Sequence, residues 1–317
     1  MRMPRFTLGT RQSTQGPQAV IEVDGGYYPL ATLVPRLRGI SVRQLFDDWD
    51  TSLALLQEQA ARIRKGGTDV EQALLGVHTV SLLAPILYPD KMLAVGANYS
   101  GHLKEMDLEQ QKGAAMPLFL RPPTTTLVGP GDTVKIPSST NQFDWECELA
   151  VFVARALSHA SREEAAEAIA GYAIGLDLSC RDLIWVNNAL KVDLVRGKAQ
   201  DTMGPCGPMI VPAQFVPDVT DLRIQLWVNG ENMMDASTSE MLWKVDEQLS
   251  IISQYITLAP GDILFTGSPS GSAGVHGNRW LQPGDQIRAT IEQVGTFEVT
   301  MQQAGNVHAT ARETRGG

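Results

Sequence analysis

Apolar and polar positions change rhythm along the chain, and the changes divide it. Residues 18–31 hold two short β-prone runs around Asp24-Gly25-Gly26, a pattern that predicts a hairpin. Ser41-Val42-Arg43-Gln44 offers a capping box, with apolar positions following at Leu45, Phe46 and Trp49. A second helix is predicted from Ser52 to Lys65, stopped by Gly66-Gly67. Leu82 to Asp90 is apolar and punctuated by proline, and reads as a linker. Residues 1–88 are therefore expected to form a small N-terminal α+β accessory domain, residues 89–303 the main domain, and residues 304–317, small and polar, a frayed tail.

Beyond Lys91 the pattern becomes short strands separated by turn signals. Pro-Gly-Asp recurs at Pro130-Gly131-Asp132, Pro260-Gly261-Asp262 and Pro283-Gly284-Asp285, each time ahead of a β-rich run. Proline presets the first turn position and glycine supplies the positive φ that follows, so each tripeptide predicts a tight turn. Three such entries into strands predict an α+β chain that is mainly β, without regular strand–helix alternation. Helices are predicted between the strands, one capped by Ser161 and ending at Gly171, another from Val245 to about Leu258.

The segment Phe143-Asp144-Trp145-Glu146-Cys147-Glu148-Leu149-Ala150-Val151-Phe152-Val153 predicts a strand. Side chains alternate faces along a strand, so Glu146 and Glu148 share one face with Ala150 and Phe152. Neither face is polar throughout, so the strand is expected to be covered on both sides. Two carboxylates entering a covered region repel each other and lose hydration, at a cost of several kcal/mol unless a cation or protons compensate. A solvated acidic strand end is the competing reading of the local pattern. Asp177 stands at the end of the apolar run Gly171–Leu176 and can supply a third oxygen, or simply cap a turn. Three carboxylates without histidine or cysteine at metal spacing suit Mg²⁺ or Mn²⁺, with Ca²⁺ possible, and disfavour zinc.

His102 and Glu105 are three apart, one helical turn, so a carboxylate can orient an imidazole as a general base requires, or the pair can be a solvated one. Lys198 lies in a Gly- and Pro-rich stretch, where it is either a surface lysine or a partner for a substrate carboxylate or enolate. Thr266-Gly267-Ser268-Pro269-Ser270-Gly271 has the small residues of an anion cradle, but it is not G-x-S-x-G. Phosphate-loop and dinucleotide fingerprints are absent. By alternation Cys147 faces away from the carboxylates, into the core.

Composition adds exclusions. The 317 residues carry 26 Lys plus Arg against 35 Asp plus Glu, a net charge of −9, which disfavours nucleic acid as a partner but leaves small anionic substrates open. Cys147, Cys180 and Cys206 are odd in number and lack CxxC spacing, so a reducing compartment is the simpler expectation. No run of about 18 apolar residues predicts a membrane span, and the basic start lacks an apolar core. A cytoplasmic protein is expected.

In their joint order the segments resemble the fumarylacetoacetate hydrolase family, over roughly Met92 to Val299. The motifs are Gly96-Ala97-Asn98-Tyr99 with His102 and Glu105, Trp145-Glu146-Cys147-Glu148-Leu149, and Leu176-Asp177-Leu178-Ser179-Cys180-Arg181-Asp182. Gly197-Lys198 with Asp201, Val228-Asn229-Gly230-Glu231, and Pro260-Gly261-Asp262 running into Thr266-Gly267-Ser268-Pro269 complete the set. The resemblance implies a β-sandwich roll, commonly a homodimer, with Glu146, Glu148 and Asp177 holding a divalent ion, usually Mg²⁺. It implies that His102 and Glu105 activate water, that Lys198 steadies the substrate, and that Arg121, Arg181, Thr266, Gly267 and Ser268 contact it. The implied activity is hydrolysis of a C–C bond in an acylpyruvate or 2,4-dioxo acid. Decarboxylation, isomerisation or dehydration of a 2-oxo acid, and a catalytically silent ligand-binding relative, are the alternatives. Arg121 stands where the family usually has Lys, Ile184 and Met234 where it often has Gln, and Ser268 where Thr is frequent. The two lost amides predict a pocket suited to an apolar or aromatic distal group.

Overall fold

The computed structural model describes residues 4–108 and 115–305. Its strands form a large sheet, a smaller five-stranded sheet and a two-stranded ribbon, with helices at the margins, an α+β fold dominated by sheet. The five-stranded sheet runs Glu231–Ser237, Arg223–Val228, Gln286–Ile291, Gly295–Gln303, Thr133–Ile136. At the centre of the large sheet, Cys147–Val153 pairs antiparallel with Ile169–Leu176 on one side and Ile263–Phe265 on the other.

Every residue of Cys147–Val153 is buried, because each face of the strand meets a different core. Leu149 and Val151 pack toward Ile224, Leu226, Ile287, Phe297 and Val299 of the smaller sheet. Ala150 and Phe152 pack with Phe6, Leu8, Ile21, Phe46 and Leu56 from the N-terminal region. That region is bound to the rest by backbone as well as side chains: Thr7–Ser13 pairs with Gly204–Pro212 at Leu8↔Ile210. The helix Trp49–Lys65 is tied across by Arg155 Nη2, which donates to both oxygens of Asp50 at 2.9 Å.

Local signals held where local chemistry decides. The hairpin turns at Asp24-Gly25, pairing Val23 with Gly26. Capping boxes form at Ser41/Gln44 and Ser161/Glu164. The three Pro-Gly-Asp turns place glycine at φ +78°, +85° and +96°. In each, the aspartate accepts a backbone N–H from three residues back: Gly129 to Asp132 and Gln282 to Asp285 at 2.8 Å, Ala259 to Asp262 at 2.7 Å.

Four expectations need correction. The strand predicted over residues 143–153 is broken at Trp145-Glu146, with Phe143–Asp144 pairing instead with Ser179–Cys180. The helix capped by Ser161 ends at Glu167, and Gly171 lies inside the strand Ile169–Leu176. The helix from Val245 ends at Ser253. The expected linker begins in a strand, since Ser81–Leu82 pairs with Thr7–Ser13. Of the expected tail, residues 306–317 lie outside the described residues.

Gly175, opposite Glu148 in the ladder, has the Phe265 ring against its bare Cα: an added Cβ would lie 2.6 Å from Phe265 Cε1. Phe265 is fully buried and has nowhere to move. Gly175→Ala is expected to cost about 1–3 kcal/mol, the usual cost of overpacking. A urea melt would show it as a lowered midpoint with an unchanged m value, and an unchanged midpoint would contradict the packing.

Candidate metal centre

The break at Trp145-Glu146 lies where the strand Ile169–Leu176 ends, and Asp177 N–H closes the junction by donating to Glu146 O at 3.0 Å. Glu146, Glu148 and Asp177 are all buried, and each offers an oxygen within 4.8 Å of the others. Asp177, 29 positions beyond Glu148, thus converges with Glu146 and Glu148 because an interrupted strand and the end of its neighbour share one corner of the sheet. The solvated-strand-end reading is excluded.

Three cations face the cluster. Lys198, at the end of the short helix Leu194–Lys198, is buried and not a surface lysine. Its Nζ lies 2.9 Å from Glu146 Oε1 and 2.8 Å from Asp177 Oδ2. Arg121, 1 % exposed, places Nη2 2.5 Å from Asp177 Oδ1, an ion pair without hydrogen-bond alignment. It also donates to Met203 O at 2.7 Å and Leu178 O at 3.0 Å. Arg181 joins Asp144 through Nε at 2.7 Å and Glu146 through Nη2 at 2.5 Å. Both arginines, expected at the substrate, are directed at the protein's own carboxylates.

The small-residue loop is used in the same way. Gly267 N–H donates to Glu148 Oε2 at 2.6 Å, Thr266 Oγ1 to Leu149 O at 3.0 Å, and Ser268 Oγ to Pro269 O at 3.3 Å. Gly267 has φ +95°, and a Cβ there would lie 2.7 Å from Asn98 Cβ. No other residue fits that approach. Two of the loop's N–H groups, those of Gly267 and Gly271, thus meet internal carboxylates.

His102 and Glu105 lie on the helix Ser100–Glu105, as their spacing predicted. His102 Nδ1 is 2.9 Å from Glu105 Oε2, and its Nε2 is 3.9 Å from Glu146 Oε1. A carboxylate at Nδ1 fixes the proton there and leaves the Nε2 lone pair toward the triad, an assignment made from the network. Glu105 also accepts Gly271 N–H at 2.5 Å and Ser272 Oγ–H at 3.2 Å. Burial alone would raise the Glu105 pKa, but the hydrogen bonds from His102 and Gly271 hold it below the usual range.

The carboxylates are driven apart electrostatically. Burial, then the charges of Asp177 and Glu146, push Glu148 well above the ordinary glutamate range. Glu146 is equally buried, yet the charges of Lys198 and Arg181 overcome that penalty and hold it well below. Glu148 Oε1 is buried and has no hydrogen-bond partner. An orphaned oxygen beside two other carboxylates, with oxygen donors throughout, fits a hard divalent cation. Glu146, Glu148 and Asp177 would hold it. Among the described residues this is the one cluster of its kind.

Several contributors were not anticipated. Asp144 is buried and accepts Trp145 N–H and Ala273 N–H at 2.8 Å besides Arg181. Its place two residues before Glu146 was the available signal. Asn98 clamps the His102 segment to the loop, donating to Thr266 O at 2.7 Å and Trp243 O at 3.1 Å. Ile184 is buried, its Cγ1 2.4 Å from where a Gly197 Cβ would stand, beside Lys198. Met234 is a core residue packed under Gly271. All three cysteines are buried and unpaired, and burial raises their thiols, Cys180 to about 12.

Residues 91–302 match the family model described as fumarylacetoacetate (FAA) hydrolase, C-terminal. A rat protein named oxaloacetate tautomerase Fahd2a, mitochondrial, is 31% identical over 277 residues, 87% of this chain and 83% of that one. A crystal structure of a putative HpcE protein from Mycobacterium smegmatis superposes with a TM-score of 0.79 at 28% identity, over 95% of this chain and all of that one. Fumarylpyruvate hydrolase from Pseudomonas aeruginosa, in complex with Mn²⁺ and pyruvate, gives 0.61 at 28% identity over 69% of this chain and 91% of that one.

The raised Glu148 carboxyl makes stability depend on pH with a definite sign. The folded state keeps a proton that the unfolded chain releases once pH passes the ordinary glutamate range. With a chelator present, thermal midpoints should fall as pH rises from that range toward Glu148's raised value. With Mn²⁺ the stabilisation should grow over the same interval, because the ion takes the proton's place. Midpoints independent of both pH and Mn²⁺ across it would contradict the assignment.

Proposed function

The chain belongs to the fumarylacetoacetate hydrolase family, and from that premise and the buried triad we propose a divalent-metal-dependent enzyme that interconverts keto and enol forms of a 2-oxo acid. The observation that carries this reading is one juxtaposition: three converging carboxylates with the His102 Nε2 lone pair 3.9 Å from one of them. Mg²⁺ or Mn²⁺ is the ion proposed. When bound, it supplies Lewis-acid stabilisation to the 2-oxo acid and its enolate. His102 Nε2 takes the proton from the carbon beside the ketone and returns it to the enolate oxygen, or runs the reverse. Glu105 holds Nδ1–H and stabilises the imidazolium while the proton is in transit. Lys198 meets the substrate carboxylate. The rat relative's name makes oxaloacetate the first substrate to test.

Hydrolysis of a C–C bond in an acylpyruvate is the second reading, favoured by buried Ile184 beside the Lys198 segment and by the Mn²⁺–pyruvate complex of the fumarylpyruvate hydrolase. There His102 Nε2 takes its proton from water, which adds to the distal carbonyl. The C–C bond then breaks, its electron pair passes to the departing pyruvate enolate, and carbon is reprotonated.

Two assays separate the readings. Decay of enol-oxaloacetate, followed by ultraviolet absorbance, should accelerate with enzyme and Mn²⁺ and lose the acceleration in EDTA. His102→Ala should lower the rate by about 10²–10⁴-fold, the typical worth of a positioned base. Acylpyruvates with apolar tails, incubated in ¹⁸O-labelled water, would carry label into the released carboxylate only if hydrolysis operates. Rates insensitive to both EDTA and His102→Ala would overturn both readings.

A further inference from the structure

This inference rests on the metal-centre reading and concerns what an ion must do to enter it. Glu148 offers Oε1, which has no hydrogen-bond partner. The contacts of Glu146 gather on Oε1, where Arg181, Lys198 and Ser179 all meet it. Asp177 has a cation at each oxygen: Arg121 lies 2.5 Å from Oδ1 without hydrogen-bond alignment, and Lys198 donates a hydrogen bond to Oδ2 at 2.8 Å. An ion that draws on Asp177 enters beside one of these cations, and one that uses Oδ2 takes it from Lys198.

The two cations are unequally fixed. Arg121 is a planar fork pinned to Met203 O and Leu178 O as well as facing Asp177, and it is 1 % exposed. Lys198 carries its ammonium on a flexible unbranched stem. The hydrogen bonds of that ammonium go to Glu146 and Asp177, the two carboxylates the ion needs. The Phe119 ring, its centroid 6.0 Å from Nζ, offers the ammonium a face to turn toward.

We propose that Lys198 is a displaceable internal cation: its ammonium bridges Glu146 and Asp177 and surrenders Asp177 Oδ2 to the incoming divalent ion. Ammonium and ion are then competitors for the same oxygens, and the released ammonium is delivered to an anionic substrate only after the ion has entered. A lysine that merely pre-shapes the ligands would have the opposite thermodynamic sign, because removing it would weaken metal binding.

Calorimetric titration of Mn²⁺ into wild type, Lys198→Met and Lys198→Arg decides the sign. Lys198→Met should bind Mn²⁺ tighter by about tenfold or more, since two buried carboxylates lose their competing partner. Its thermal midpoint should also rise more on Mn²⁺ addition than that of wild type. Lys198→Arg, which keeps the charge, should bind no tighter than wild type. Equal or weaker binding by Lys198→Met overturns the proposal, as does equal tightening by Lys198→Arg. If Lys198→Met unfolds when chelated and refolds when Mn²⁺ returns, the ion has replaced the ammonium, as proposed. If it stays unfolded with Mn²⁺ present, the proposal fails. Absence of Mn²⁺ binding to wild type would instead overturn the metal-centre reading itself.

Discussion

Uncompensated negative charge in a dry interior is the constraint on which the rest of this molecule depends. Asp144, Glu146, Glu148 and Asp177 are each no more than 5 % exposed, and they meet three cations, Arg121, Arg181 and Lys198. Four carboxylates against three cations leave one charge unmatched. The buried groups resolve it by dividing roles: Glu146 is held ionised by its partners, and Glu148 is pushed toward the neutral form. Removing one partner from such a cluster costs roughly 3–5 kcal/mol, since it strands a buried charge. The cluster is retained at the expense of stability that an apolar corner would have supplied, which is the signature of a site kept for chemistry.

The fold meets this constraint by covering one strand twice. The smaller sheet buries the Leu149 and Val151 face of Cys147–Val153, and the N-terminal region buries the Ala150 and Phe152 face. Two-sided cover lowers the local dielectric and so strengthens every charge contact at the strand's end. The same cover explains why the N-terminal residues enter the large sheet by backbone pairing. The loop from Thr266 to Ser272 then ties the chemistry together. Its Gly267 N–H holds a triad carboxylate and its Gly271 N–H holds the partner of His102, so triad and base are registered by one short stretch of backbone.

Much of this was legible in the sequence, and the boundary of legibility is physical. Strand alternation put Glu146 and Glu148 on one face, helical spacing put His102 beside Glu105, and Pro-Gly-Asp and capping boxes fixed turns and helix starts, all within a few residues. Lys198 was ambiguous because nothing nearby in the chain shows that it will meet Glu146, 52 positions earlier. The substrate contacts of Arg121 and Arg181 came from the resemblance alone, and their pairing with Asp177, Asp144 and Glu146, all distant in the chain, left no local signal. The Thr266–Gly271 run read as a cradle from its composition, which could not show that Gly267 and Gly271 N–H would meet Glu148 and Glu105. The break at Trp145-Glu146 was hidden by uniformly strand-forming residues, since the interruption is imposed by pairing with Ser179–Cys180 and not by local propensity.

Tautomerisation and hydrolysis ask the same things of these residues up to the point of proton transfer. Both need the head of a 2-oxo acid held at the triad, and both need His102 Nε2 free with Nδ1 fixed by Glu105. They differ only in whether the proton comes from carbon or from water, and that is decided by what lies next to Nε2 when substrate is bound. The triad and dyad therefore cannot encode the choice. It falls to groups that admit or exclude water around the distal end of the substrate. Drying that end disfavours an attacking water while leaving proton exchange at carbon untouched. Local hydration at that end is thus the single variable through which one set of catalytic residues would serve either reaction.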